Sequence, residues 1–428
     1  MMTFSPSTLK EALVDAIKTL SFIEGDIEEI DFNEFLDIDE AEYDDITIDE
    51  NSSVCLYVGE SDYPTISVSQ FIHYAKSKSR LKINEAHSYA KSEHEIFFLI
   101  NVSDYDTFEV LNNSFRGKNL FEEKKDGPAV VLEKEIMVNG TAYYASLYNG
   151  FCIFHLMVEE SGNYDEYNPS YSPYDYFVRI RCDQSPIDMG IADSLASAYV
   201  FELQASFEIL LPFSKGRIET ATSDRSAETL FGLENQMFPL IHGIGATDLL
   251  NLYNTAKNTD DVDFKILGFT KTIEYIAPTI TQKELIENVS LKLTSLSVFK
   301  PSASFISELG AIYDKHRNTT TKDSELIKLS ILTAVTLDEV WSYVPSFLKG
   351  KQVTLPTDSD HNAWLERIAE CIYSTRNEIA HAKANYDKRG TECPAKHKTE
   401  FARLLDNVAV RCIRWFALQP EEKRVVLK

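Results

Sequence analysis

The chain has no Cys-x-x-Cys pair, no His-Glu-x-x-His, no calcium loop of alternating Asp and Gly, and no Gly-x-Ser-x-Gly elbow. These absences argue against zinc and calcium sites and against a hydrolase elbow, and no metal or other cofactor is expected. The Gly243-Ile244-Gly245 pair follows no predicted strand and lacks a third glycine, so it does not read as a phosphate-cradling loop. The acidic run Asp37 to Asp45 lacks the glycine turn of a cation site and reads as a solvated loop. The six cysteines, at 55, 152, 182, 371, 393 and 412, are scattered, which predicts reduced thiols in a cytoplasmic protein and not a secreted disulfide framework. No apolar run approaches the roughly 18 to 20 residues that span a bilayer. Residues 1 to 20 interleave Lys10, Glu11, Asp15 and Lys18 with apolar positions, unlike an export signal, so neither a membrane nor secretion is expected.

What is present suits a globular protein. With 428 residues, 44% of them hydrophobic, the chain is too long for one ordinary core and predicts two domains or three. The net charge of −25 speaks against nucleic acid, but its distribution is uneven. By direct count residues 1 to 60 hold 17 acids against two lysines, whereas residues 361 to 428 hold 13 Lys and Arg against nine acids. Both ends can be ordinary solvated faces; alternatively, the acidic start docks on the basic end and mimics nucleic acid.

Hydrophobic spacing predicts an α+β chain. Residues 7 to 23 read as a first helix (Leu9, Leu13, Ile17, Leu20). Short β-branched and aromatic segments follow at 46–48, 54–58, 96–102, 129–132, 143–147, 151–158 and 176–181, which predicts a largely antiparallel sheet. A helix over 191–211, stopped by Pro212, closes an N-terminal mixed domain of residues 1–213. The polar stretch 214–228 has the composition of a linker. Residues 229–428 then read as an all-α bundle, with helices over 246–258, 262–276, 282–296, 303–316, 324–348, 363–385 and 399–418.

One stretch carries chemistry: Tyr373-Ser-Thr-Arg376-Asn377-Glu-Ile-Ala-His381, at the end of a long apolar-striped helix. No carboxylate lies three or four residues from Arg376, so a local ion pair does not use up its charge. Asn377 is one turn before His381, where its amide would orient the imidazole. On one regular helix Arg376 and His381 diverge by roughly 140°. Either the helix breaks near the motif, or two copies of the chain bring two motifs together.

The Arg-x4-His pattern, in the last quarter of an all-helical domain, resembles that of the HEPN superfamily. The resemblance covers roughly residues 230–420; residues 1–215 resemble nothing nameable. It implies an isologous homodimer through the C-terminal domain and a metal-independent endoribonuclease. RNA's own 2′-hydroxyl would attack, leaving a 2′,3′-cyclic phosphate and a 5′-hydroxyl. An imidazole, titrating near pH 6.5, suits proton transfer at His381. A guanidinium suits the strained phosphate at Arg376. The resemblance also implies an acid from a neighbouring helix, for which Glu274 and Asp338 are the two candidates. Lys383, Arg389, Lys396 and Lys398 are candidates to hold flanking RNA phosphates. By analogy, the protein would be a microbial toxin or antiviral effector whose N-terminal domain senses an unknown trigger. Two other readings stay open: a non-catalytic dimerisation, RNA- or nucleotide-binding module, and a ligand-binding protein that stacks its ligand on the aromatic loop 164–177.

Overall fold

The computed structural model describes residues 6–20, 53–55, 64–100, 121–122, 129–162, 164, 169–207, 211, 213–214, 238–320, 322–352, 354–381 and 389–426. The chain divides into two compact units, Met1–Leu240 and Ile241–Lys428. The expected linker 214–228 and the acidic run 37–45 lie, apart from Ser214, outside the described residues. No helix of the described residues is long and apolar enough to cross a membrane.

The first unit is built on antiparallel strands. Helix α1 (Pro6–Thr19) is followed by a two-stranded pair, β1 (Ser53–Cys55) with β2 (Thr65–Ser67). Helix α2 (Val68–Ser77) then leads into β3 (Lys82–Ile83), β4 (Tyr89–Lys91), β5 (Glu95–Ile100), β6 (Phe121–Glu122), β7 (Ala129–Val138), β8 (Thr141–Asn149) and β9 (Tyr176–Arg181). These seven form one antiparallel sheet in the order β3-β4-β5-β9-β8-β7-β6. Helices α3 (Ile153–Ser161) and α4 (Met189–Phe207) complete the unit.

The six residues of β5 are all buried, which happens only when both faces of a strand are covered. One face (Phe97, Leu99, Tyr148, Phe177) packs under α1, α2 and α3. The other, through Ile96, Phe98, Val178 and Ile180, lies on the side of β8 and β9 where α4 packs. The sequence pattern reads residues 151–158 as a strand, and here it is wrong: they open α3. A short apolar run does not distinguish a strand from a buried helix, and a side-chain cap decides. The His155 Nδ1 accepts the Cys152 N–H at 3.0 Å, and its Nε2 pairs with Asp175 Oδ2 at 3.1 Å.

Between β7 and β8 the register slips at Val131 to Lys134, and Leu132 takes a φ of +51°. The bulge interrupts the ladder, and one side chain from α4 fills the gap. The Tyr199 hydroxyl accepts the Leu147 N–H at 2.9 Å and donates to the Leu132 carbonyl at 3.1 Å. Burial pushes this phenol above its ordinary pKa, so it keeps the proton it donates.

The second unit is helical: α5 (Ala246–Lys257), α6 (Val262–Leu293), α7 (Ala303–Thr320), α8 (Asp323–Ala334), α9 (Leu337–Val340), α10 (Ser346–Lys349), α11 (His361–Ala380) and α12 (Lys398–Ala417). Four expected helices differ. The segments read as 262–276 and 282–296 are one helix of 32 residues that runs through Pro278. Proline removes a single N–H, and here buried neighbours on both sides outweigh that loss. The Thr279 hydroxyl also accepts the Val425 N–H at 3.0 Å. The segment read as 324–348 is broken instead, because Val335 and Thr336 adopt extended geometry and Pro345 interrupts again. Helix α11 stops at Ala380, short of the expected 385.

Helix α6 is the axis of the unit, packing against α5, α7, α8, α11 and α12. It comes close to α5, where a Cβ built on Gly268 would lie 2.5 Å from the Ala256 Cβ. At the end of the chain, Arg424 Nη2 donates to the Ala417 carbonyl at 2.8 Å and Nε to Gln419 at 3.0 Å. Its Nη1 donates to the His242 carbonyl at 3.2 Å. One guanidinium thus caps α12 and holds the turn that opens the unit.

Two substitutions test this packing. Tyr199→Phe strands a buried N–H and a buried C=O, and is expected to cost about 1–3 kcal/mol in a urea unfolding curve. Gly268→Ala gains helix propensity but forces α5 and α6 apart; a net loss of about 1–2 kcal/mol is expected, and a rise in the unfolding midpoint would show that the contact is not tight.

Candidate functional site

Helix α11 buries Leu365, Ile368, Ala369 and Ile372 and so fixes which way its last turn faces. In that turn Arg376 is about a quarter exposed and lies between helices α6 and α8. Its Nη1 donates to Asn377 Oδ1 at 2.9 Å. Two carboxylates approach the guanidinium from other helices: Glu274 of α6, with Oε1 at 3.5 Å from Nη2, and Asp323 of α8, with Oδ2 at 3.8 Å from Nη1. Neither distance is that of a tight bidentate pair, and Glu274 Oε1 is buried without a hydrogen bond. The fork is oriented by an amide and compensated by charge, but it is not saturated.

Of the two candidate acids, Glu274 is the one brought to Arg376. Asp338 is exposed on α9 and is not among the carboxylates paired with the guanidinium. The break in the helix expected over 324–348 removes Asp338 from the face that α8 turns toward α11. Sequence reasoning missed Asp323. Its signal was present, since it is the first residue of α8, where a helix favours an acid.

Asn377 also has a different role from the expected one. Its amide holds Arg376, while only its backbone carbonyl reaches His381, accepting that residue's N–H at 2.9 Å. His381 is the C-cap of α11, exposed, with φ −111° and ψ 15°. The helix therefore ends at the last residue of the motif, after regular turns that carry Arg376 and Asn377.

The basic residues downstream separate. Lys383 lies outside the described residues. The Arg389 guanidinium sits 5.6 Å from the ring centre of Tyr373, one turn before Arg376, so it flanks the site. Lys396 is exposed in a short turn. Lys398 donates to Asp263 Oδ1 at 2.6 Å, and its charge is engaged within the unit. The returning chain is pinned to α11 by the Cys393 N–H, which donates to Thr375 Oγ1 at 2.8 Å, and by Thr391 Oγ1, 3.0 Å from Ser374 Oγ. Burial pushes the Cys371 and Cys393 thiols up to about 12, which makes both poor nucleophiles at neutral pH. In the aromatic stretch 164–177, Tyr176 and Phe177 are buried strand residues, Tyr171 packs on Phe151 and His155, and 165–168 lie outside the described residues.

Burial raises the Glu274 carboxyl above its usual range, with the attraction of Arg376 opposing and the nearby Asp323 adding to the rise. No family model, no curated protein and no solved structure matches this chain.

The raised carboxyl gives a pH-dependent expectation. An acid whose folded pKa exceeds its unfolded value of about 4.3 withdraws stability as pH rises between those two values. Glu274→Gln and the parent protein should therefore melt alike below about pH 4, and the variant should become the more stable of the two toward pH 7. Thermal melts across that range check it; a variant that loses stability relative to the parent as pH rises would show that Arg376 outweighs the burial.

Proposed function

We propose that the chain is an endoribonuclease of HEPN type, with Arg376 and His381 as the residues that touch the scissile phosphate. The observation that carries the reading is an arginine fork that is held in place but not saturated, set five residues before an exposed imidazole at a helix end. Five residues of helix separate the pair by about 7–8 Å along the axis and roughly 140° around it, so this reading needs the motif of a second copy to complete the set around one phosphodiester.

In this reading the RNA 2′-oxygen forms a bond to the adjacent phosphorus and gives its proton to an imidazole. The bond from phosphorus to the 5′-oxygen breaks, and that oxygen takes a proton from an imidazolium. The products are a 2′,3′-cyclic phosphate and a 5′-hydroxyl, with no change of oxidation state. Arg376 neutralises the charge that builds on the non-bridging oxygens, leaving Glu274 and Asp323 as it turns to them. Asn377 positions the fork, and Arg389 holds a neighbouring phosphate or base. A homodimer through the second unit supplies a second imidazole. RNA is the substrate, and the first unit is the sensor of a trigger in a toxin or antiviral effector.

A second reading is favoured by the same ion pairs. Because two carboxylates already face one guanidinium, Arg376 can be a structural strut of a non-catalytic binding module. The two readings separate in one assay. Purified protein should cut a mixed RNA pool in EDTA, and His381→Ala should lower the rate by about 10²–10⁴ while the circular dichroism spectrum is kept; Arg376→Ala should lower it as far, although it also removes the charge that compensates Glu274. Arg376→Lys should fail to restore it, since an ammonium lacks the planar fork. Cleavage that survives His381→Ala, or no cleavage by the parent protein, would favour the binding module.

A further inference from the structure

The outer half of α6 and the whole of α7 form a hairpin strapped by the ion pairs Lys292–Glu308 and Lys315–Glu284. Its inner faces meet through buried Phe305, with a groove of about 280 Å³ between the helices lined by Leu285, Asn288 and Ile312. The outside of the hairpin is unusual. On α6, Ile286, Val289 and Leu293 recur at three and four residues; on α7, Ile306, Leu309 and Tyr313 do the same. All six are exposed or half-exposed.

Helical geometry puts both rows on one side. Relative to the inward residue Leu285, Ile286 and Leu293 lie roughly 80–100° around α6; relative to inward Ile312, Ile306 and Tyr313 lie roughly 100–120° around α7. The helices run antiparallel, so equal rotations carry both rows to the same face. Each row has the spacing of a coiled-coil seam, and two adjacent seams are half of a four-helix bundle. At the tip, Leu296 is 85% and Phe299 81% exposed. Together these side chains offer on the order of 600–800 Å² of apolar surface, more than a monomer usually leaves in water and close to one partner's share of a standard interface.

We infer that this face is an interface between two copies of the chain, joined hairpin to hairpin as a four-helix bundle. Charge selects a second copy as the occupant. The chain carries −25 overall and would repel itself over most of its surface, yet residues 281–320 hold five Lys and Arg (283, 292, 300, 315, 317) against four acids (284, 287, 308, 314). Self-association through this hairpin escapes that repulsion. Two seams on one hairpin also satisfy a two-fold axis, since the α6 row of one copy meets the α7 row of the other and the reverse. The inference stands whatever chemistry the Arg376 site performs.

The test is the solution mass of the full-length protein by light scattering at micromolar concentration. Twice the 48.6 kDa of one chain is expected for the parent and equally for the exposed His381→Ala, so a failed nuclease does not disturb the result. Leu293→Glu with Ile306→Glu places like charges in the seam and should give a monomer of unchanged helical content. A milder pair, Leu293→Ala with Ile306→Ala, should raise the dissociation constant by at least about tenfold, and it keeps the test open if the glutamates disturb folding. A monomeric parent protein would overturn the inference and leave the face to a different partner. A dimer that survives both pairs would overturn it too, by placing the interface elsewhere.

Discussion

A half-buried carboxylate cannot be left alone in a helical core, and the arrangement of the second unit follows from how Glu274 is accommodated. It faces out of α6 at the level where α8 begins and α11 ends, and the compensating charge comes from the last turn of α11. Losing Arg376 would leave two acids facing each other, with exposed Lys271 nearby. The arginine is therefore tied to the fold whether or not it touches a substrate. Asn377 adds what charge alone does not supply: a fixed orientation for a fork that would otherwise be free to turn among several acceptors. Structure and chemistry are entangled here, and only an assay that reads turnover apart from stability separates them.

Much of this was legible in the sequence. The change from two-residue to three- and four-residue periodicity gives the mixed first half and the helical second half, and α12 runs within a residue of its expected bounds. Arg376 and Glu274, a hundred residues apart, are both recognisable as site candidates. What failed did so for identifiable reasons. Residues 151–158 are apolar but for His155, and the side chain of His155 reaching back to its cap favours the helix. Pro278 reads as a helix end, but tertiary burial on both sides carries α6 through it. Asp338 is a plausible partner for Arg376 only on an unbroken helix, and the extended geometry at Val335 and Thr336 removes it. Asn377 points at its neighbour and not at the imidazole, a choice between two acceptor directions that spacing does not encode.

The carriage of charge through the chain gives the two halves of α6 different characters. Near its start its two acids are engaged by other helices: Asp263 with Lys398, and Glu274 with Arg376. Beyond Pro278 it is close to neutral and apolar on the outside. One continuous helix thus links a polar cluster to a greasy projection, and a shift of the outer half relative to the bundle would be felt at Glu274 through the helix itself. The missing N–H of Pro278 lies between the two, four residues after Glu274, where the ladder of hydrogen bonds is at its weakest.

The Arg424 clasp has a topological meaning. Because a single side chain gathers the carbonyls of residues 242, 417 and 419, the helical unit begins and finishes at one spot. A module closed in this way behaves as a ring with a latch: its ends could be spliced and new ends opened in one of its loops, giving a circularly permuted bundle with the same core. The same closure makes the unit portable, since inserting it into a host loop requires its two termini to be only a few ångströms apart.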